Sequence, residues 1–237
     1  MLKILYENKN AIVCVKPHGV LSQSGAAGDE GQDMLNILSG QLGSQVGLLH
    51  RLDRPTGGIM VFSKNKKTEG ALSAAIADKN SSVKEYLAVV SGIPESRVGE
   101  MRDFLFKDAR AGKSFVISSP RKGAKEAVLS YELLESTEGE EGPLSLVKIR
   151  LGTGRTHQIR AQFSHRKMPV AGDGKYGSRE RIRCQKETAV SPKDMIALFA
   201  YHLSVDCGAA KFDVLELPDK DIYPFSLFAD AMDILQM

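Results

Sequence analysis

Residues 47–64 read GLLHRLDRPTGGIMVFSK. Two apolar runs, GLL and IMVF, flank a polar turn in which Asp53 sits between Arg51 and Arg54, beside His50, Pro55 and two glycines. The IMVF run is short and bounded by glycine and serine, which is the pattern of a buried strand. Pro55 and the glycines mark a tight turn at the edge of that sheet. A carboxylate and two guanidiniums therefore meet where core gives way to solvent. Nearby positive charge favours the carboxylate anion, which suits a nucleophile or charge stabiliser better than a general acid. The plainer alternative is an aspartate that caps the turn and pairs with Arg51 or Arg54.

Around this turn the chain reads as strands with a few interspersed helices. KILYENKNAIVCVKPHG predicts two strands split by a turn at residues 7–10, and the glycine-rich stretch after Pro17 predicts an extended, mobile loop. Met34, Leu35 and Leu38 recur at helical spacing, and so do Ala71, Leu72, Ala75 and Ile76 in a helix over residues 66–79 with Asn65 as its N-cap. VKEYLAVVSG is a further strand, and AVLSYELLES and LSLVKIRLG are strands around a Glu/Gly-rich turn. THQIRAQFSHR predicts a short helix capped by Thr156, and the basic segment after Phe106 a long loop or hairpin. Periodicity does not decide whether MIALFAYHLSVDC is a strand or a buried helix. The expected class is α+β with a mixed, mostly antiparallel sheet, as one domain over residues 1–237.

The chain has 237 residues, 42% of them apolar and 26% charged, with a formal charge of +3. Charge is unevenly spread. Residues 107–125 carry six basic side chains against Asp108 alone, and residues 166–186 carry seven against two acids. The segment 213–237 is acidic, with six carboxylates against Lys220. Such asymmetry fits a basic face for a polyanion. Three scattered cysteines disfavour a disulfide framework or a zinc site and suit a reducing compartment. With no leader pattern and no long apolar run, we expect a cytoplasmic protein that does not enter membranes.

Two further stretches set polar residues in apolar context. In VKEYLAVV, alternation places Lys84 and Tyr86 on one face, Tyr86 either in the core or lining a pocket where it could stack on a base. In GTGRTHQIR, the glycines and the outward N–H groups of the following helix, with Arg155, make an anion site. His157 and Arg160 share one helical face. Arg160, between Ile159 and Ala161, is expected to be partly buried and so to need an anionic partner.

Taken together these stretches resemble the RluA-type family of RNA pseudouridine synthases. The likeness runs in order through LYENKNAIVCVKPHGV, HRLDRPTGG, VKEYLAVVSG and LGTGRTHQIRAQFSHRKMPVAGDGKYG to a weaker LFAYHLSV. It implies a pseudouridine synthase fold with no metal and no organic cofactor. It also implies that Asp53 is the catalytic aspartate, that Tyr86 stacks against the target base, and that Arg160 pairs with the aspartate. Arg51 matches a residue that fills the space of a flipped base, while His50 is expected to pack in the turn. The RNA-binding candidates are Arg51, Arg54, Lys84, Arg155, His157, Lys113, Arg121 and Lys122. The implied substrate is a tRNA or rRNA stem-loop, bound by a monomer without an S4-like domain. Two positions depart from the family pattern: Gly57 where serine is usual, and Phe199 in place of a frequent histidine. Both are expected to be peripheral. Two competing readings remain, a non-catalytic RNA-binding protein and a glycosidic hydrolase, the latter normally needing a second carboxylate.

Overall fold

The structure is a computed structural model and describes residues 1–24, 33–184 and 190–236. Most of the stretch expected to be a mobile loop, residues 25–32, lies outside the described residues, as does Lys186 of the second basic segment. Strands β1 (Ile4–Glu7), β2 (Ala11–Lys16), β3 (Gly47–Leu48), β4 (Gly57–Ser63), β5 (Ser82–Ser91), β6 (Val98–Asp108) and β7 (Lys113–Ile117) come first. They are followed by β8 (Ala124–Glu138), β9 (Pro143–Leu151), β10 (Arg183–Cys184), β11 (Leu198–Cys207), β12 (Ala210–Leu215) and β13 (Ile222–Tyr223). The helices are α1 (Met34–Leu42), α2 (Glu69–Ala77), α3 (Gln158–His165) and α4 (Ala229–Asp233). MIALFAYHLSVDC thus resolves as strand from Leu198 on. No described helix is long and apolar enough to cross a membrane.

The chain divides into two compact units, Met1–Lys84 with Phe199–Leu217, and Glu85–Leu198 with Pro218–Met237. In the first, β2 lies antiparallel between β1 and β4, and β12 runs antiparallel to β11. The β4–β11 pairing is parallel, with Phe199 beside Gly57 and Ala200 beside Gly58. Every residue of β4 is buried, as the uninterrupted apolar run foretold. Leu72, Ala75 and Ile76 of α2 pack on Val13, Ile59, Val61, Leu203 and Phe212 of this sheet. Thr68, not Asn65, occupies the N-cap of α2. Asn65 instead closes the turn before it, its side-chain oxygen accepting from Lys67 N–H at 3.0 Å and its carbonyl from Thr68 N–H at 3.1 Å. Helix α1 begins at Asp33, whose carboxylate accepts from Asn36 N–H at 2.9 Å.

The second unit is antiparallel, in the order β5-β9-β8-β6-β7. The basic segment after Phe106 forms the β6–β7 hairpin, which is the tighter of the two expected forms. Leu105 and Ala127 on one sheet face pack against Ala161 of α3 and Tyr176. Gln162 anchors the helix by donating to Asp103 at 2.7 Å, and Arg166 forms two bonds to the same carboxylate at 2.9 and 3.2 Å. Arg166, counted above as part of a basic surface, is therefore committed to an internal ion pair. The N-cap of α3 is His157, in the left-handed region at φ 52°, in place of the expected Thr156.

Candidate active site

Asp53 stands at the start of a tight turn, with Thr56 N–H donating to its carbonyl at 3.0 Å. Four groups, from the last residue of β2 and the chain after it, hold that turn. Ser22 hydroxyl accepts from Leu52 N–H at 3.1 Å and donates to Leu52 carbonyl at 2.8 Å, replacing a strand neighbour the turn lacks. Gly19 N–H donates to Arg54 carbonyl at 2.9 Å, and Arg54 Nε returns a bond to Gly19 carbonyl at 3.0 Å. His18 meets Pro55 carbonyl at 2.8 Å through Nδ1. Lys16, fully buried, donates from Nζ to the carbonyls of Pro17, Val20 and Arg54 at 2.9, 2.6 and 3.1 Å. The backbone of residues 51–56 is thereby fixed from below while Arg51 and Arg54 remain exposed and Asp53 partly so.

The electrostatics of this unit follow from burial. Desolvation lowers the Lys16 pKa to about 7, against the pull of the Asp53 charge, with Arg54 adding to the lowering. Burial lowers His18 to about 4, so the ring is neutral at pH 7 and its Nδ1–H is the donor to Pro55. His50 is likewise lowered to about 4, by burial and then by Lys84, and its Nε2 accepts from Val61 N–H at 3.1 Å. It packs and bonds within the fold, the role expected for it. Lys84 Nζ donates to Ile76 carbonyl at 2.5 Å, and burial lowers its pKa. Its amine closes the end of α2.

Gly57 and Phe199 are not peripheral. A Cβ on Gly57 would stand 2.6 Å from His18 Nε2 and 2.9 Å from Phe199 Cδ2. The two departures from the family pattern thus touch each other and the histidine that steadies Pro55. The bulk of Phe199 fills space that a side chain at position 57 would need. Gly58, at φ 120°, has Ala200 backbone 2.3 Å from where a Cβ would be, so the parallel pairing itself demands glycine there.

In the second unit Tyr86 is buried in β5, opposite Ile149 of β9. Arg160 is buried too, and Asp173 supplies the anionic partner its burial requires, through Nε–Oδ2 at 2.6 Å and Nη2–Oδ1 at 2.9 Å. Tyr176 organises the surroundings. Its ring lies under the Arg160 guanidinium at 4.9 Å and the Lys113 ammonium at 4.5 Å. Its hydroxyl accepts from Ser114 N–H at 2.8 Å and bonds His157 Nδ1 at 2.9 Å. Lys113 also donates to Lys175 carbonyl at 2.7 Å, so its charge is used largely inside the unit.

The expected anion site at the start of α3 is partly consumed. Gln158 Oε1 accepts from Arg155 N–H at 3.0 Å and from Thr153 hydroxyl at 2.8 Å. Arg155 itself is exposed, with Nε bonded to Glu126 carbonyl at 2.9 Å. Arg121 and Lys122 are exposed on the chain between β7 and β8. Sequence reasoning missed Lys16, His18, Ser22, Asp173 and Tyr176 as site residues. All but Ser22 stood inside quoted stretches, KPHG and GDGKYG, but nothing in their spacing showed which group each would meet.

A family model for RNA pseudouridylate synthase matches residues 10–165, a span that holds Asp53, Tyr86 and Arg160. The chain belongs to the RluA-type RNA pseudouridine synthases. Synthases of this family isomerise uridine to pseudouridine. The chain is 30% identical over 248 residues to ribosomal large subunit pseudouridine synthase D of Borreliella burgdorferi, covering 99% of this chain and 71% of that protein. To tRNA pseudouridine synthase C of Vibrio vulnificus it is 30% identical over 201 residues, 81% of either chain. To ribosomal large subunit pseudouridine synthase C of Rickettsia felis it is 32% identical over 177 residues, which span 75% of this chain and 56% of that protein. The fold is that of solved synthases. Human RNA pseudouridylate synthase domain containing 1 superposes with a TM-score of 0.71 at 22% identity, over 93% of this chain and 84% of that one. Domain containing 4 gives 0.68 at 23% identity, over 99% and 93%.

Proposed function

We propose that this synthase isomerises uridines in tRNA or rRNA and that Asp53 is its catalytic carboxylate. The observation that carries the assignment is the fixed turn: four groups hold the backbone around Asp53, a residue that is itself partly exposed. Such rigidity is what a reacting group needs to keep its geometry through a reaction. The reaction breaks the N1–C1′ bond, turns the uracil over and joins C5 to C1′; N1 gains a proton and C5 loses one, so nothing else is consumed. Asp53 acts either by attack on C1′ or by removing a sugar proton. Tyr86 is assigned to the freed uracil and Arg160 to charge support.

A paired uridine must leave the helix first, at a cost of a few kcal/mol. Arg51, exposed two residues before Asp53, is the side chain we assign to the vacated stack. Arg54, Arg121, Lys122 and Arg155, all exposed, bind phosphates and add affinity without reading sequence. The test is Asp53→Asn. Pseudouridine, detected by carbodiimide-blocked primer extension on total RNA, should disappear while RNA affinity and melting temperature stay close to wild type. Turnover at a substantial fraction of wild type would remove Asp53 from the role.

A further inference from the structure

The sheet face opposite α3 is built unlike an ordinary solvated face. In the β6–β7 hairpin Phe104 stands opposite Ile117, and Phe106 opposite Phe115. On the other side of β6, Phe104 and Phe106 face Glu126 and Ala124 of β8. Cross-strand partners share a face, so three phenylalanines and an isoleucine form one patch. Their neighbours Leu105, Val116 and Ala127 point the other way, into the core under α3. The chain has nine phenylalanines. Phe104, 36% exposed, and Phe115, 42% exposed, are the exposed ones among the described residues, and both lie on this patch.

The charge around the patch names its partner. Arg121 lays its guanidinium on the Phe106 ring at 3.9 Å. A guanidinium stacked on a ring is held flat, and its outer side is a cationic plane on which a base can stack. Lys122 beside it is exposed. Of the acids on this face, Glu126 and Glu100 are bound by Arg102 at 2.8 and 3.2 Å, and the Asp108 carboxylate accepts from Arg110 and Ala111 N–H at 2.8 and 3.0 Å. Aromatic rings on a sheet, rimmed by cations that include a stacked arginine, suit bases whose phosphates run alongside. A protein partner would instead favour a patch poor in lysine at its centre.

We propose that the outward face of β6, β7 and β8 is a stacking platform for two or three unpaired nucleotides, with Phe104, Phe115 and the Arg121–Phe106 pair as its planes. The proposal rests on RNA being the substrate and adds that the synthase takes RNA with an unpaired segment. Arg121 is then more than a phosphate contact, because its plane matters as well as its charge.

The probe is a fluorescein-labelled short oligouridylate, compared with a blunt RNA duplex of equal length. Phe104→Ala with Phe115→Ala should weaken oligouridylate binding about 10-fold or more, leave duplex binding within about twofold, and leave the salt slope unchanged, since stacking releases no counterions. Arg121→Lys, which keeps the charge and loses the plane, should do the same to a smaller degree, and Phe115→Tyr, which keeps the ring, should leave binding close to wild type. Equal weakening on both probes, or none on either, overturns the proposal. So does a change in sedimentation with oligouridylate affinity intact, which would make the face a protein contact. Pseudouridine formation by the wild type is scored separately: its absence sinks the proposed activity, while the platform stands or falls on binding alone.

Discussion

The two units hold their reactive residues in opposite ways. In the first, the Asp53 turn is fixed by hydrogen bonds to backbone carbonyls from bases that burial has pushed toward neutrality: Lys16 at about 7 and His18 at about 4. In the second, Arg160 is fixed by a buried, two-pronged bond to Asp173 and by the Tyr176 ring. A neutral imidazole such as His18 is comfortable when buried and becomes a liability when protonated. A buried ion pair is the reverse: both partners must be charged, and removing either strands the other. One unit should therefore respond to proton concentration and the other to loss of a partner.

The largest effect expected is in the second unit. Asp173→Ala takes a buried, two-pronged carboxylate from the Arg160 guanidinium and should cost about 3–5 kcal/mol, read as a drop in denaturation midpoint. Retained stability would mean that water or another acid replaces Asp173, and the contrast between the units would lose half its basis.

The pH response comes next. His18 and His50 have folded pKa values near 4 against 6.5 unfolded. Between those values the unfolded chain binds protons that the native one does not, so their contribution is complete above pH 6.5 and is lost as pH falls toward 4. For Lys16, about 7 folded against 10.5 unfolded, stability rises with pH across that range. Each slope is at most about 1.4 kcal/mol per pH unit. Amide exchange corrected for intrinsic rates should show β2 and β4 opening before β8 and β9 as pH falls from 6.5 to 4. Lys16→Met should abolish the alkaline rise and leave the acid loss in place.

A smaller effect sharpens the packing side of the contrast. Gly57→Ser places a side chain against His18 and Phe199 and should cost about 1–3 kcal/mol. Combining it with Phe199→Leu should recover part of that loss in the same melting experiment. Smallest is the surface term. Arg121→Ala with Lys122→Ala should flatten the salt dependence of RNA binding by up to about two phosphate contacts, whereas adding Lys113→Ala should lower stability more than slope, because its ammonium is bonded to Lys175.

Much of this was legible in residue order. The β4 run, the hairpin strands of residues 4–16, the α2 apolar face and the β8–β9 pair follow from local periodicity, which is a property of neighbouring residues. So did the need of Arg160 for an acid. What failed was whatever depended on a distant partner. Asn65 and Thr156 are good caps by type, but the helices begin one to three residues later, at Thr68 and His157, where α2 and α3 meet their sheets. Nor does anything near Lys84 in sequence show the Ile76 carbonyl its amine meets. Gly57 and Phe199 looked like two minor departures because they lie 142 positions apart in the chain.

By itself the sequence determined the family, the strand-rich class and the carboxylate on its turn, because these rest on residue type and short spacing. Tertiary structure alone decided that Lys16, His18 and Ser22 lock that turn, that Asp173 and Tyr176 hold Arg160, and that three phenylalanines share one outward face. Each of those depends on strand register and chain return, which bring together side chains whose separation along the chain carries no trace of the contact.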